Sequence, residues 1–162
     1  MAKTDPYARC TWRNKSFDNR TVSALQWAEK RFLRRAPLLR KHWVIAQGSH
    51  NGSVDVSGGT HEGGGAVDIS VSNMTERQRK ATVHWLKRAG FSVWFRPALP
   101  GKWGPHIHAI LLGHRTASPE AKWQMQSYLD HRNGLANNAY DPTWRPRPQV
   151  RWIHKQGRPV RL

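Results

Sequence analysis

Residues 106–112 read His106-Ile107-His108-Ala109-Ile110-Leu111-Leu112, and this run organises the rest of the chain. In a strand, side chains two apart share a face, so His106 and His108 project side by side with Ile110 and Leu112 beyond them. Ile107, Ala109 and Leu111 cover the opposite face. A strand apolar on both sides lies inside its sheet. The two histidines then stand at its opening end, on a rigid support suited to a functional side chain.

Upstream, His61-Glu-Gly-Gly-Gly-Ala-Val-Asp68 supplies the complementary groups. A strand is predicted over Ala66–Ser70, with Asp68 on one side and Val67 and Ile69 on the other. The three glycines allow backbone angles denied to other residues, so the chain can fold back and present His61 near Asp68. His61, Asp68 and one histidine of the later pair form a nitrogen and carboxylate set that suits Zn²⁺, with a fourth position open for water or substrate. The other histidine stands beside that open position. The glycines do not make a phosphate loop, because the Gly-Lys-Ser/Thr element is missing, and they do not match the dinucleotide fingerprint.

The remaining sequence frames these two stretches as one α+β domain, a small and mostly antiparallel sheet with flanking helices. Its 162 residues suffice for one core, and nine tryptophans supply much of the apolar bulk. Residues 1–18 show no periodicity and read as an extended basic arm. A helix is predicted from Thr21 to Arg35, capped by Thr21 or Asn19 and ended by Pro37. Trp43–Gln47 reads as a strand, residues 48–65 as a Gly/Ser-rich loop, and Asn73 or Thr75 opens a helix that stops at Gly90. Phe91–Phe95 is a further strand, Pro97–Pro105 a turn-rich connection, and Ser118-Pro119-Glu120 starts a helix running to about Arg132. From Asp141 the tail is basic and proline-punctuated, placed to wrap the domain or touch a partner.

Cys10 is alone, which excludes an internal disulfide and a four-cysteine zinc site. Net charge is +17, from 27 Lys and Arg against 10 Asp and Glu, a balance that favours anionic wall polymers, lipid head groups or nucleic acid. No apolar run approaches the roughly 20 residues of a membrane span, so no transmembrane segment is expected. The N-terminus lacks a secretory signal, which predicts a protein made and kept in the cytosol unless another factor exports it.

The two motifs resemble the signature of the metallopeptidase group that contains lysostaphin-type peptidases, zinc D-Ala-D-Ala carboxypeptidases and the hedgehog fold. The nearest likeness is to the D-Ala-D-Ala carboxypeptidase and phage endolysin branch, whose first motif often runs Ser-x-His-x-x-Gly-x-Ala-x-Asp. Here Gly59-Thr-His61-Glu-Gly-Gly64-Gly-Ala66-Val-Asp68 keeps the histidine, glycine, alanine and aspartate in register, with Gly59 for the serine. The likeness covers roughly residues 43–112. It implies His61, Asp68 and His108 as zinc ligands and His106 as the catalytic histidine. It also implies Gln47 and Ser49 as substrate-binding groups, with His50 behind the ligands and Trp94, Arg96 and Trp103 as cleft walls.

The implied activity is zinc-dependent cleavage of peptidoglycan peptides, by a phage lysin released through a holin or carried on a virion, or by a host wall enzyme. Many relatives carry a glutamate shortly before the last ligand, and Pro100–Pro105 contains no acid. Either His106 works alone, or Glu62 or Asp55 reaches in, or catalysis is lost. The alternative is a basic, non-catalytic nucleic-acid-binding or virion structural protein that keeps the fold. It rests on the net charge and on the Trp and Arg interleaved in both tails.

Overall fold

In the computed structural model, residues 5–35, 42–53 and 58–141 are described, together with the backbone of 150–151 and 160–161. Four strands form the central sheet: β3 (Ile45–Gln47), β4 (Ala66–Ser70), β5 (Phe91–Arg96) and β6 (His106–Leu111). Their order is β3-β4-β6-β5, and every neighbouring pair is antiparallel. The strand that holds both histidines is therefore an inner one, as its two apolar faces require.

The faces divide as the alternation predicts. Val67, Ile69, Ile107, Ala109 and Leu111 join the main core with Leu25, Ala28 and Phe32 of α1 (Asn19–Arg35) and Leu86 of α2 (Glu76–Arg88). On the other face, Ala66, Ile110 and Leu112 pack under Ala121, Met125 and Tyr128 in a smaller core built by α3 (Pro119–Leu129). That helix covers one end of the face. Beyond it, Gln47, Asp68, His108 and Trp94 lie on one rung of the sheet, and Ser70, His106 and Arg96 on the next. A register shift between Ile45 and Gln47 keeps Ile45 in the main core while pairing Gln47 with Asp68.

Helix ends follow local chemistry. Thr75 and Gln78 form a reciprocal capping box on α2, and Ser118 caps α3 with Pro119 in its first turn. The third helix stops at Leu129, short of the expected Arg132. His131 takes a left-handed backbone (φ 61°), which ends the helix, and Arg132 bridges to Tyr140.

Two expectations near the N-terminus are corrected. The arm contains a hairpin, β1 (Arg9–Trp12) with β2 (Lys15–Asp18), closed by Arg13 and Asn14 at φ 52° and 59°. Two consecutive positive φ values give the tight turn whose twist suits paired strands. Phe17 is fully buried in the main core, which ties the hairpin to the domain. Asp18, rather than Thr21 or Asn19, caps α1. Its Oδ1 accepts from the Thr21 backbone N–H at 2.9 Å, and the Thr21 hydroxyl donates to Oδ2 at 2.8 Å.

A half-buried clamp holds this hairpin against α1 and the chain leading into β3. Arg13 donates to both carboxylate oxygens of Glu29, at 2.8 and 2.7 Å, and to the Trp43 carbonyl at 2.7 Å. The Trp43 N–H donates to the same Glu29 at 2.8 Å. The helix stop at Pro37 and most of the tail fall outside the described residues. Of that tail only the pair β7 (Val150–Arg151) and β8 (Val160–Arg161) is described.

Candidate metal centre

His61, Asp68 and His108 converge at the mouth of the sheet, each with a ligand atom within 4.8 Å of the others. The Asp68–His108 approach follows from register, since the two residues are directly paired across β4 and β6. His61 arrives from the glycine loop, whose backbone is fixed by Gly64 N–H to the Thr116 carbonyl and by Asn51 N–H to the His61 carbonyl. Oδ1 of Asp68 lies 2.7 Å from His108 Nδ1, and Oδ2 lies 3.4 Å from His61 Nε2.

The outer contacts decide which ring nitrogens are free. His61 Nδ1 lies 2.8 Å from the Gly48 carbonyl, which can only accept, so Nδ1 carries the proton and Nε2 keeps its lone pair. That Nε2 is buried and has no hydrogen-bond partner among the described residues. His108 Nε2 lies 2.9 Å from Gln124 Oε1, so with a metal ion on Nδ1 the proton sits on Nε2 and Gln124 accepts it. His106 repeats the pattern, with Nδ1 2.8 Å from the Gly104 carbonyl and Nε2 3.9 Å from Asp68 Oδ1. Three ring nitrogens thus face one carboxylate, and the donor set fits a divalent metal ion.

The electrostatics agree. Burial alone would raise the Asp68 carboxyl, yet His108 and His61 beside it hold it well below the usual carboxylate range. Burial lowers His108, and the charge of Asp68 opposes this only in part. The His108 imidazolium is therefore disfavoured, and the neutral ring is the form that a metal ion would bind.

A cleft of about 540 Å³ opens over the triad, lined in part by Gln47, Arg96, Trp103, His106 and Leu135. Gln47 lines the cleft, and its buried Nε2 has no hydrogen-bond partner among the described residues, so a donor stands ready. Ser49 is corrected: it is fully buried, its hydroxyl donates to the Ala66 carbonyl at 2.8 Å, and it does not line the cleft. His50 sits away from the triad with Nε2 3.9 Å from Asp18. Glu62 is exposed beside Gly52 and does not line the cleft, so it does not reach the triad as a base. Asp55 falls outside the described residues. Trp94 stacks on His108 at 5.9 Å and donates from Nε1 to the Arg132 carbonyl, while Trp103 meets His106 edge-on at 6.4 Å.

Two supports have no counterpart in the motifs. Gln124 comes from α3, and only the packing of that helix over the sheet brings it to His108. Behind the glycine loop, buried Asp18 and His114 lie 3.1 Å apart, with Thr21 and Thr116 on the same cluster. A Cβ added at Gly64 would stand 2.5 Å from the His114 ring and 2.8 Å from Asp18. A Cβ at Gly63 would meet the Thr116 carbonyl at 2.3 Å and the Ser118 nitrogen at 2.4 Å. The glycines thus do two jobs: they turn the chain, and they let it lie flush on this cluster.

Comparison with protein-family models, curated proteins and solved structures finds no match to this chain.

Proposed function

We propose that this protein is a zinc-dependent peptidase acting on the peptide portion of bacterial peptidoglycan. The observation that carries the reading is the convergence of His61 Nε2, Asp68 and His108 Nδ1, with lone pairs oriented by outer partners, beneath an open cleft that also holds His106. The likeness of both motifs to peptidoglycan-cleaving zinc peptidases supports the substrate, and the net charge of +17 suits an anionic wall.

A bound zinc ion supplies Lewis acidity to the scissile carbonyl and to a water beside it. The protein's own groups then divide the remaining work. His106 is held by Gly104 with Nε2 facing the cleft, so it accepts the proton of the attacking water and returns it to the leaving amine. Among the described residues lining the cleft, Asp68 is the one acid, so none competes for that role. Gln47 Nε2 donates to a substrate carbonyl. Trp94 and Trp103 hold the imidazoles in place and restrict water.

Release of peptide fragments from purified sacculi by zinc-loaded protein, abolished in His108→Ala, is the expected result. No release with zinc restored sinks the proposal. Salt-dependent DNA binding by a metal-free chain would point instead to the nucleic-acid reading.

A further inference from the structure

The two helices that close the main core carry far more positive charge than their own acids offset. α1 and α2 hold five Lys and Arg each, against Glu29 in one and Glu76 in the other. Both glutamates are already engaged, Glu29 by Arg13 and the Trp43 N–H, and Glu76 by Lys80 at 2.6 Å. Near the C-terminal ends of the helices the cations gather. Arg31 stacks on the Trp27 ring at 3.6 Å, and the charges that press on it are those of Arg34 and Arg88. Burial and these two neighbours lower Arg31 below its ordinary value. Arg34 is exposed, Arg31 and Arg88 are half-buried, and the buried Nε of Arg88 has no hydrogen-bond partner among the described residues. Like charges held together in this way repel one another, and a polyanion relieves the repulsion.

The surroundings of the cluster narrow the kind of polyanion. Trp27 is covered on one face by Arg31 and meets Trp85 edge-on at 6.5 Å, and both indoles pack against the main core. They hold the guanidinium in place and are not a free platform on which bases could stack. A guanidinium stacked by its face keeps its N–H edge for phosphate oxygens. α1 and α2 cover the sheet face opposite Asp68 and His108, so a partner bound to their outer side leaves the cleft open. We propose that Arg31, Arg34 and Arg88 form a docking surface for a phosphodiester polymer of the bacterial wall, which holds the protein on its substrate. The choice of a wall polymer among phosphate chains rests on the peptidase reading, but the docking itself needs neither metal nor turnover.

The test is cosedimentation of the full chain with two preparations of purified sacculi. One keeps its covalently attached phosphodiester polymer, and the other has been stripped of it with hydrofluoric acid. The wild-type chain is expected to bind the intact sacculi about ten- to hundredfold more tightly, and added salt to weaken that binding. Arg31→Gln, Arg34→Gln and Arg88→Gln combined should remove the difference while the variant still melts cooperatively. Lysine at the same three positions keeps the charge and should keep most of the preference. Equal binding of the wild-type chain to intact and stripped sacculi, a comparison that needs no variant, overturns the surface.

Duplex DNA at equal phosphate concentration supplies the remaining arm. Tighter binding to DNA than to intact sacculi also overturns the proposal, and marks nucleic acid as the partner. If the preference for intact sacculi holds while no peptide is released, the docking surface stands and the peptidase reading falls. If peptides are released with no such preference, the reverse follows.

Discussion

Replacing Gln124 by leucine perturbs the support behind the ligands and leaves every ligand in place. Leucine keeps most of the side-chain volume between α3 and the sheet but removes the acceptor 2.9 Å from His108 Nε2. His108 is only 5% exposed, so its ring depends largely on protein partners. Two outcomes remain open to the ring. If the proton stays on Nε2, a buried donor is left unpaired at a cost of about 1–3 kcal/mol. If it moves to Nδ1, it is accepted by Asp68 Oδ1 at 2.7 Å, and the lone pair needed by a metal ion is gone. The metal-free ring can take the second arrangement and the metal-bound ring only the first, so metal binding weakens by about ten- to hundredfold, or about 1.4–2.7 kcal/mol. The second outcome leaves the metal-free protein satisfied, so melting without zinc should change far less than melting with it. Competition with a chromophoric chelator gives the zinc affinity, and paired melting curves give the stability. Unchanged zinc affinity in Gln124→Leu would refute the claim that outer contacts set the tautomers.

Further expectations follow from the same geometry. His106→Ala should keep its zinc but lose about 10²–10⁴-fold in peptide release, read by metal analysis beside a sacculus assay. Loss of zinc from that variant would place His106 among the ligands. Gly63→Ala forces a Cβ into two backbone atoms of the 116–118 loop and should cost about 1–3 kcal/mol or more in denaturant melts. A neutral effect would mean the loop does not lie where it is described. In the metal-free chain, His108 is lowered below its ordinary 6.5, so the unfolded state binds more protons as pH falls. Stability should therefore be complete above about pH 6.5 and fall below it. Asp68 and Asp18, both lowered from 3.8, extend the loss under further acidification. A melting temperature that is flat from pH 7 to 5 contradicts this sign. Glu29→Ala, which leaves Arg13 and the Trp43 N–H without their shared acceptor, should destabilise by about 3–5 kcal/mol in the same melts.

How far the sequence carries can be followed residue by residue. Alternation in 106–112 assigns both faces of β6 correctly, because an inner strand must bury both. The spacing of His61 and Asp68 reveals the convergence, because strand pairing and a glycine turn are local devices. Gln124, Gly48 and Gly104 are invisible at that level. Two act through backbone carbonyls that every residue has, and the third depends on how α3 lands on the sheet. The hairpin is missed because its strands are only four residues long, with Cys10 and Trp12 alternating in one and Phe17 alone in the other, and its turn begins with Arg13, a residue seldom chosen for positive φ. Ser49 misleads because a hydroxyl near a site can as readily satisfy a buried carbonyl as a substrate.

The claim beneath all of this is that His61, Asp68 and His108 hold one metal ion. Native mass spectrometry of the purified chain after zinc loading tests it most directly, with wild type beside His61→Ala. The arrangement predicts one zinc per wild-type chain, removed by chelator, and none in the variant. A wild-type chain that retains no zinc, or a variant that retains as much, would contradict it.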